Sequence, residues 1–112
     1  ASANGGFMIE FQYSIESRTF HCMLDGRMDA NTTEEVAKSV DERLEESGVD
    51  PAEDLKVVFD LEKVEYIASA FLRECLLIAK RFGKESFSVI NSSPFVKKIF
   101  RESGCDKLFK VE

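Results

Sequence analysis

Few side chains in this sequence could do chemistry, and their spacing narrows what that chemistry is. There is one histidine, His21, and there are three cysteines, Cys22, Cys75 and Cys105. No two cysteines stand at metal-ligand spacing, and His21 has no HxxxH or Cys–His ligand pattern around it, so a zinc site is not predicted. An odd number of scattered thiols fits reduced cysteines in a cytosolic protein, with Cys75 as a small side chain buried in an apolar helix. The Gly-rich loops GxxxxGK[ST] and GxGxxG, which cradle phosphates with backbone amides, are absent, as is the GxSxG elbow of hydrolases. The paired carboxylates Glu34-Glu35 and Glu45-Glu46 fall on a surface helix, where they read as solvated charge. No catalytic residue, metal or cofactor is predicted, and the chain does not read as an enzyme.

The segment that stands out is Glu65-Tyr66-Ile67-Ala68-Ser69-Ala70-Phe71-Leu72-Arg73. It follows an apolar strand and opens a helix, with Ser69 at the helix cap or in the first turn. A serine there has a structural use, because its oxygen accepts a bond from a free helix-start amide. It also has a chemical one. A phosphate on Ser69 would meet the free amides and the positive end of the helix dipole. It would add about −1.5 to −2 charges beside an apolar docking patch formed by Phe71 and Leu72. Such a tip is adequate as a switch that would bind a partner when unmodified and release it when phosphorylated.

The elements that must position this serine follow from periodicity. Ile9, Phe11, Tyr13 and Ile15 alternate, and so do Phe20, Cys22 and Leu24, with a turn at Glu16-Ser17-Arg18; the pair reads as an antiparallel hairpin. His21 falls on the opposite face of its strand. Asp25-Gly26 reads as the end of the second strand, and Arg27 to Thr32 as a polar loop. A helix then runs to Ser47, with Thr32 and Glu35 as a capping box, Val36, Val40 and Leu44 as its apolar stripe, and Gly48 as its stop. Val49 to Asp54 is a loop containing Pro51. Leu55 to Leu61 reads as a central strand buried on both faces, and Glu62 to Glu65 as a loop. The second helix spans about Ser69 to Phe82 and stops at Gly83. Phe87 to Ile90 is a strand. Ser93-Pro94 caps a third helix that runs to Ser103 before Gly104. Leu108 to Val111 is the last strand. The order β-β-α-β-α-β-α-β predicts an α/β fold with a partly parallel sheet and crossover helices; strand order stays open.

The 112 residues suit one domain, spanning 7–112 after a small polar stretch, 1–6, that reads as a flexible tail. That stretch has no basic start or apolar core, so it does not read as a signal peptide. No apolar run approaches the ~20 residues that span a bilayer, so membrane insertion is not expected. Fifteen basic against 21 acidic residues give a formal charge of −6, which disfavours direct nucleic-acid binding. The late basic cluster Lys97, Lys98 and Arg101 reads as a solvated helix face.

Several of these stretches together resemble the STAS family and, within it, bacterial anti-sigma-factor antagonists. Val57-Val58-Phe59-Asp60-Leu61 is similar to the family's apolar strand ending in Asp-Leu. The family follows it with an aromatic–aliphatic pair and Asp-Ser-Ser-Gly-Leu-Gly or a relative such as Ser-Ser-Ala-Gly-Leu-Arg; here the stretch is Val64 to Arg73. Leu24 to Thr32 is similar to the family's Gly-Glu-Leu-Asp loop, Asn91 to Phe100 to its later helix start, and Ser103 to Phe109 to its Gly before a short last strand. The resemblance spans nearly the whole chain.

The resemblance implies a STAS-like mixed sheet of four to five strands packed against helices, and cytoplasmic partner switching. In that scheme the unphosphorylated antagonist binds an anti-sigma factor with serine/threonine kinase activity, and the kinase phosphorylates a serine at the start of the second helix. Ser69 holds that position. The partner-binding residues so implied are Asp29, Asn31, Ala68, Ser69, Ala70, Phe71, Leu72, Arg73 and Ser92, with a phosphatase as a further candidate partner. Two positions depart from the pattern: Ala68 replaces the family's Asp, and Phe71 its Gly. Both favour a second reading, a non-switching STAS subunit of a transporter-associated or stress-signalling assembly. A nucleotide binder using the Ser69 helix end is a third.

Overall fold

The computed structural model describes residues 7–50 and 54–112; the N-terminal tail and Pro51 lie outside the described residues. The elements are β1 (Phe7–Ser14), β2 (Thr19–Met28), α1 (Ala30–Ser47), β3 (Lys56–Ile67), α2 (Ser69–Phe82), β4 (Phe87–Ile90), α3 (Pro94–Glu102), a 3-10 turn (Cys105–Lys107) and β5 (Lys110–Val111). They form one five-stranded sheet in the order β1-β2-β3-β4-β5. β1 and β2 are antiparallel, and β2, β3, β4 and β5 are mutually parallel. This is the mixed α/β architecture the sequence predicts.

Strand order fixes where the helices go. Each parallel connection steps one strand in the same direction, and right-handed crossovers then put all three helices on one face. The strands show it by alternation. Phe20, Cys22 and Leu24 of β2, Val57, Phe59 and Leu61 of β3, and Phe87 and Val89 of β4 are buried under the helices. Their neighbours His21, Met23, Val58 and Asp60 are half-exposed on the other face. β3 is therefore central, as expected, but buried on one face rather than two. α1 contributes Val36, Val40 and Leu44, α2 Phe71, Cys75, Ile78 and Ala79, and α3 Val96 and Phe100.

Phenylalanine rings carry the core across the sheet. Phe71 faces Phe59 at 6.0 Å, Phe59 faces Phe87 at 5.2 Å, Phe87 faces Phe109 at 5.0 Å, and Phe109 faces Phe100 at 5.8 Å. The middle and later pairs meet edge to face, the geometry the ring quadrupole favours.

Two stretches expected to be loops are strand. β2 continues through Arg27 to Met28, and β3 through Glu62–Glu65 to Ile67, because the two strands pair along their whole length. The pairing slips twice, between Met23 and Asp25 and between Gly26 and Arg27. Gly26 has φ 119° at the second slip. A bulge breaks the period-two pattern without ending the strand, and the turn-like Asp25-Gly26 and the polar Glu62-Lys63 are its traces. Ile15 lies beyond β1 and is 81% exposed, so it does not extend the apolar row of Ile9, Phe11 and Tyr13. The final strand is only Lys110–Val111; Leu108 precedes it and is exposed.

Candidate functional site

The ends of β2 and β3 meet where two helices begin. Met28 pairs with Ile67, and the Ala68 amide donates to the Met28 carbonyl at 2.9 Å. The helix starts after Met28 and after Ile67 are thereby side by side, which brings Asp29 and Asn31 next to Ala68, Ser69 and Ala70.

Asp29, not Thr32, caps α1. Its Oδ1 accepts from the Thr32 amide at 2.8 Å, and its carbonyl accepts from the Thr33 amide at 2.9 Å and the Thr33 hydroxyl at 2.7 Å. The expected Thr32–Glu35 capping box is displaced because the helix begins three residues earlier, at Ala30. The Thr32 amide is the chief reason the Asp29 carboxyl is held below its ordinary value; the Thr32 side chain, the Asn31 amide and the positive charge of Arg27 act in the same direction. A carboxyl depressed in the folded protein stabilises it at pH values above the ordinary carboxylate pKa, about 3.9. That contribution disappears as pH falls through the lower, folded value. Asp29→Ala is expected to lower the melting temperature by a few degrees at neutral pH, with the gap to the parent closing in strong acid; parallel thermal melts across an acid series check both.

α2 has no such cap. Ala68 is extended (φ −94°, ψ 169°) and has no side-chain acceptor. Its carbonyl takes the Phe71 and Leu72 amides at 2.9 and 3.2 Å. Ser69 and Ala70 fall before the first helical bond, where amides have no intrahelical acceptor. Ser69 is exposed at the first helical position, so its Oγ is open to solvent. Ala68→Asp is expected to add about 1 kcal/mol of stability by supplying the missing cap; the shift in urea midpoint measures it.

The other site residues divide. Arg73 is exposed, and Leu72 and Ala70 are half-buried. Phe71 is 0% exposed against Phe59, so the expected docking patch built on its ring is corrected: the ring is core, one helical turn above Cys75. Ser92 is corrected too. β4 pairs only Val57–Asp60 of β3, so Ile90 lies level with Asp60, seven residues short of Ile67. The ladder does not carry Ser92 to the Ser69 tip. It is buried at 9% exposure, with its amide on the Glu112 carbonyl and its hydroxyl unpaired among the described residues.

The structure adds a wall to the site that periodicity did not show. A shallow groove of about 180 Å³ runs between α1 and α2, lined by Ala30, Thr33, Ala37, Ala70, Arg73 and Leu77 among others. Small side chains let the helices approach, and Leu77 is 55% exposed beside it. Glu74 also lines the groove; its carboxyl is pushed up by burial first and by Asp41 second, with Arg81 opposing. Leu77 is the one large apolar residue of α2 that is exposed; Leu72, Leu76 and Phe82 are half-buried against the core. Arg27 stands on the same end, over the Tyr66 ring at 4.6 Å.

The remaining reactive groups lie elsewhere. All three cysteines are buried. Burial pushes the Cys22 thiol up to about 12, and the Cys75 thiol well up. His21 is on the open sheet face, 3.6 Å from Asp60. A hollow of about 160 Å³ on that face is lined by Met8, Glu10, Met23, Asp25, Asp60 and Lys63 among others, and by none of the residues of the Ser69 site. Among the described residues no three metal-binding side chains cluster, and no helix is long and apolar enough to cross a membrane.

Several solved structures share this architecture. An anti-sigma factor antagonist from Mycobacterium paratuberculosis superposes with a TM-score of 0.76 at 21% identity, covering 99% of this chain and 89% of its own. The anti-sigma factor antagonist SpoIIAA in its unphosphorylated form gives 0.66 at 18% identity, covering 95% and 87%. The Bacillus cell fate determinant SpoIIAA in the phosphorylated form gives 0.59 at 17%, covering 95% and 90%. At these identities the likeness speaks for the fold. No curated protein sequence matches this one. The family model for the STAS domain matches residues 10–112, nearly all of the sheet and all three helices, and the chain belongs to the STAS-domain family.

Proposed function

We propose that this chain, as a single STAS-like domain over 7–112, is an anti-sigma-factor antagonist that binds an anti-sigma kinase while Ser69 is unmodified. The observation that carries the reading is the exposed Ser69 hydroxyl at the uncapped start of α2, beside the Asp29 corner. In the reaction the γ-phosphoryl group of ATP passes to Ser69 Oγ, the hydroxyl loses its proton, and ADP leaves. The new anion sits against the free amides of Ser69 and Ala70 and opposes the partner surface that fitted the neutral tip. The partner contacts are Asp29, Asn31, Ala68, Ser69, Ala70 and Arg73, with Leu72 and Leu77 as the apolar component. Phe71 takes no part, and a phosphatase would reset the switch. Support comes from the family, from the antagonists that share the fold, and from the solution of one of them in both phosphorylation states.

The test is incubation with the cognate anti-sigma kinase and ATP, read by mass spectrometry and by pull-down. Stable binding and a single added phosphate, absent in Ser69→Ala, are the expected results. Binding without any added phosphate selects the second reading, a non-switching STAS subunit of a larger assembly. Ala68 favours that alternative, since the residue just before the serine carries no carboxylate. No binding removes both the kinase partner and the switch.

A further inference from the structure

We propose that the outer edge of β1 pairs with the same edge of a second copy of this chain, antiparallel, about a two-fold axis through Phe11. β1 ends the sheet, and among the described residues no strand lies beyond it. An open edge presents a row of backbone donors and acceptors, and proteins that keep such an edge single shorten it, bulge it, or place Pro or Lys on it. The far edge, β5, is two residues long. β1 is eight residues long, pairs with β2 without a slip from Phe7 to Ser14, and contains neither Pro nor Lys. Met8, on the strand, is 56% exposed, and Ile15, next after it, is 81% exposed; they are two of the five exposed large apolar residues described.

The sequence of the strand is complementary to itself in the register centred on Phe11. Residues directly opposite in an antiparallel pair share a face, so an axis between two residues would set core-facing side chains against solvent-facing ones. An axis through Glu10 would place its carboxylate against its own copy, which is destabilising. An axis through Phe11 sets Phe11 against Phe11 and Ile9 against Tyr13 on the helix side. On the open side it sets Glu10 against Gln12 and Met8 against Ser14. Ile9, Phe11 and Tyr13 are already half-buried against the core, so the seam joins two cores into one ten-stranded sheet. Arg43 of α1 covers the Phe11 ring at 5.2 Å in each copy and would flank the aromatic pair. Ser69 lies past the end of β3, two strands from the seam, and stays open in the dimer.

Sedimentation velocity on the full chain over a concentration series tests this. The expected mass rises with concentration from 12.7 kDa toward twice that value. Gln12 and Glu10 are exposed on the open face, so changing them leaves the core untouched. Gln12→Glu puts like charges opposite each other twice per dimer and is expected to weaken association about tenfold. Adding Glu10→Lys to that variant makes both pairs opposite in charge and is expected to restore it. A chain that stays at 12.7 kDa at every concentration overturns the proposal. So does a dimer whose dissociation constant ignores both substitutions.

Discussion

Phe71→Gly is expected to remove a large share of the protein's stability. The ring is fully buried, 6.0 Å from Phe59, at the head of the aromatic series that runs to Phe100. Deleting a buried phenylalanine side chain costs about 3–5 kcal/mol, through lost transfer energy and the cavity left behind. Glycine in place of alanine within a helix adds about 1 kcal/mol. Domains of this size unfold with about 5–15 kcal/mol, so the sum is a large share of the whole. The urea midpoint reads it directly, and Phe71→Leu, which keeps most of the volume, should lose much less. A midpoint for Phe71→Gly within error of the parent would mean that the ring is not packed as described.

Phosphorylation of Ser69 is expected to move two measurements in opposite directions. Affinity for the anti-sigma kinase should fall about a hundredfold, because a doubly charged group desolvated against a surface fitted to a neutral tip costs several kcal/mol. Thermal stability of the free protein should rise slightly, because an anion at a helix N-terminus contributes about 0.3–1 kcal/mol. Ser69→Glu should show both effects in weaker form. The opposition separates electrostatic control from damage, since a variant that merely disturbs the fold loses affinity and stability together. Affinity unchanged in the phosphorylated protein would leave Ser69 without a switching role.

The fold was legible where local chemistry and periodicity agree. Gly48 ends α1 in the left-handed conformation at φ 70°, where a side chain is strained. Ser93 caps α3 through the Val96 amide, with Pro94 as its first residue. α2 was placed at both ends by Ser69 and Gly83. Local signals failed where a tertiary partner decided the outcome. Gly26 and Glu62-Lys63 read as loop residues, yet each strand is held extended by the other, and the irregularity survives only as two slips in the ladder. Thr32-x-x-Glu35 is a valid capping pattern, but Asp29 is the acceptor, because the end of β2 delivers it to the helix start.

The candidate site was legible to the same degree. Ser69 at the tip of α2 followed from the end of an apolar strand and the start of a helical stripe. The inward turn of Phe71 was contained in that stripe, since Phe71, Cys75, Ile78 and Ala79 share one helical face. Its place beside Leu72 at the apolar start of the helix suggested a docking patch instead. The level of Ser92 depends on how far β4 runs along β3, a register that no residue in either strand announces.

The chained phenylalanine rings give the molecule an optical signature. With ten phenylalanines, two tyrosines and no tryptophan, phenyl bands in the near-ultraviolet circular dichroism spectrum are not swamped by indole absorption. Rings locked in chiral surroundings give sharp vibronic structure, and loosened packing erases it while the far-ultraviolet helix signal persists. Because the series touches α2, β3, β4 and α3, melting followed in that narrow band reports the interior as one unit, without any attached label.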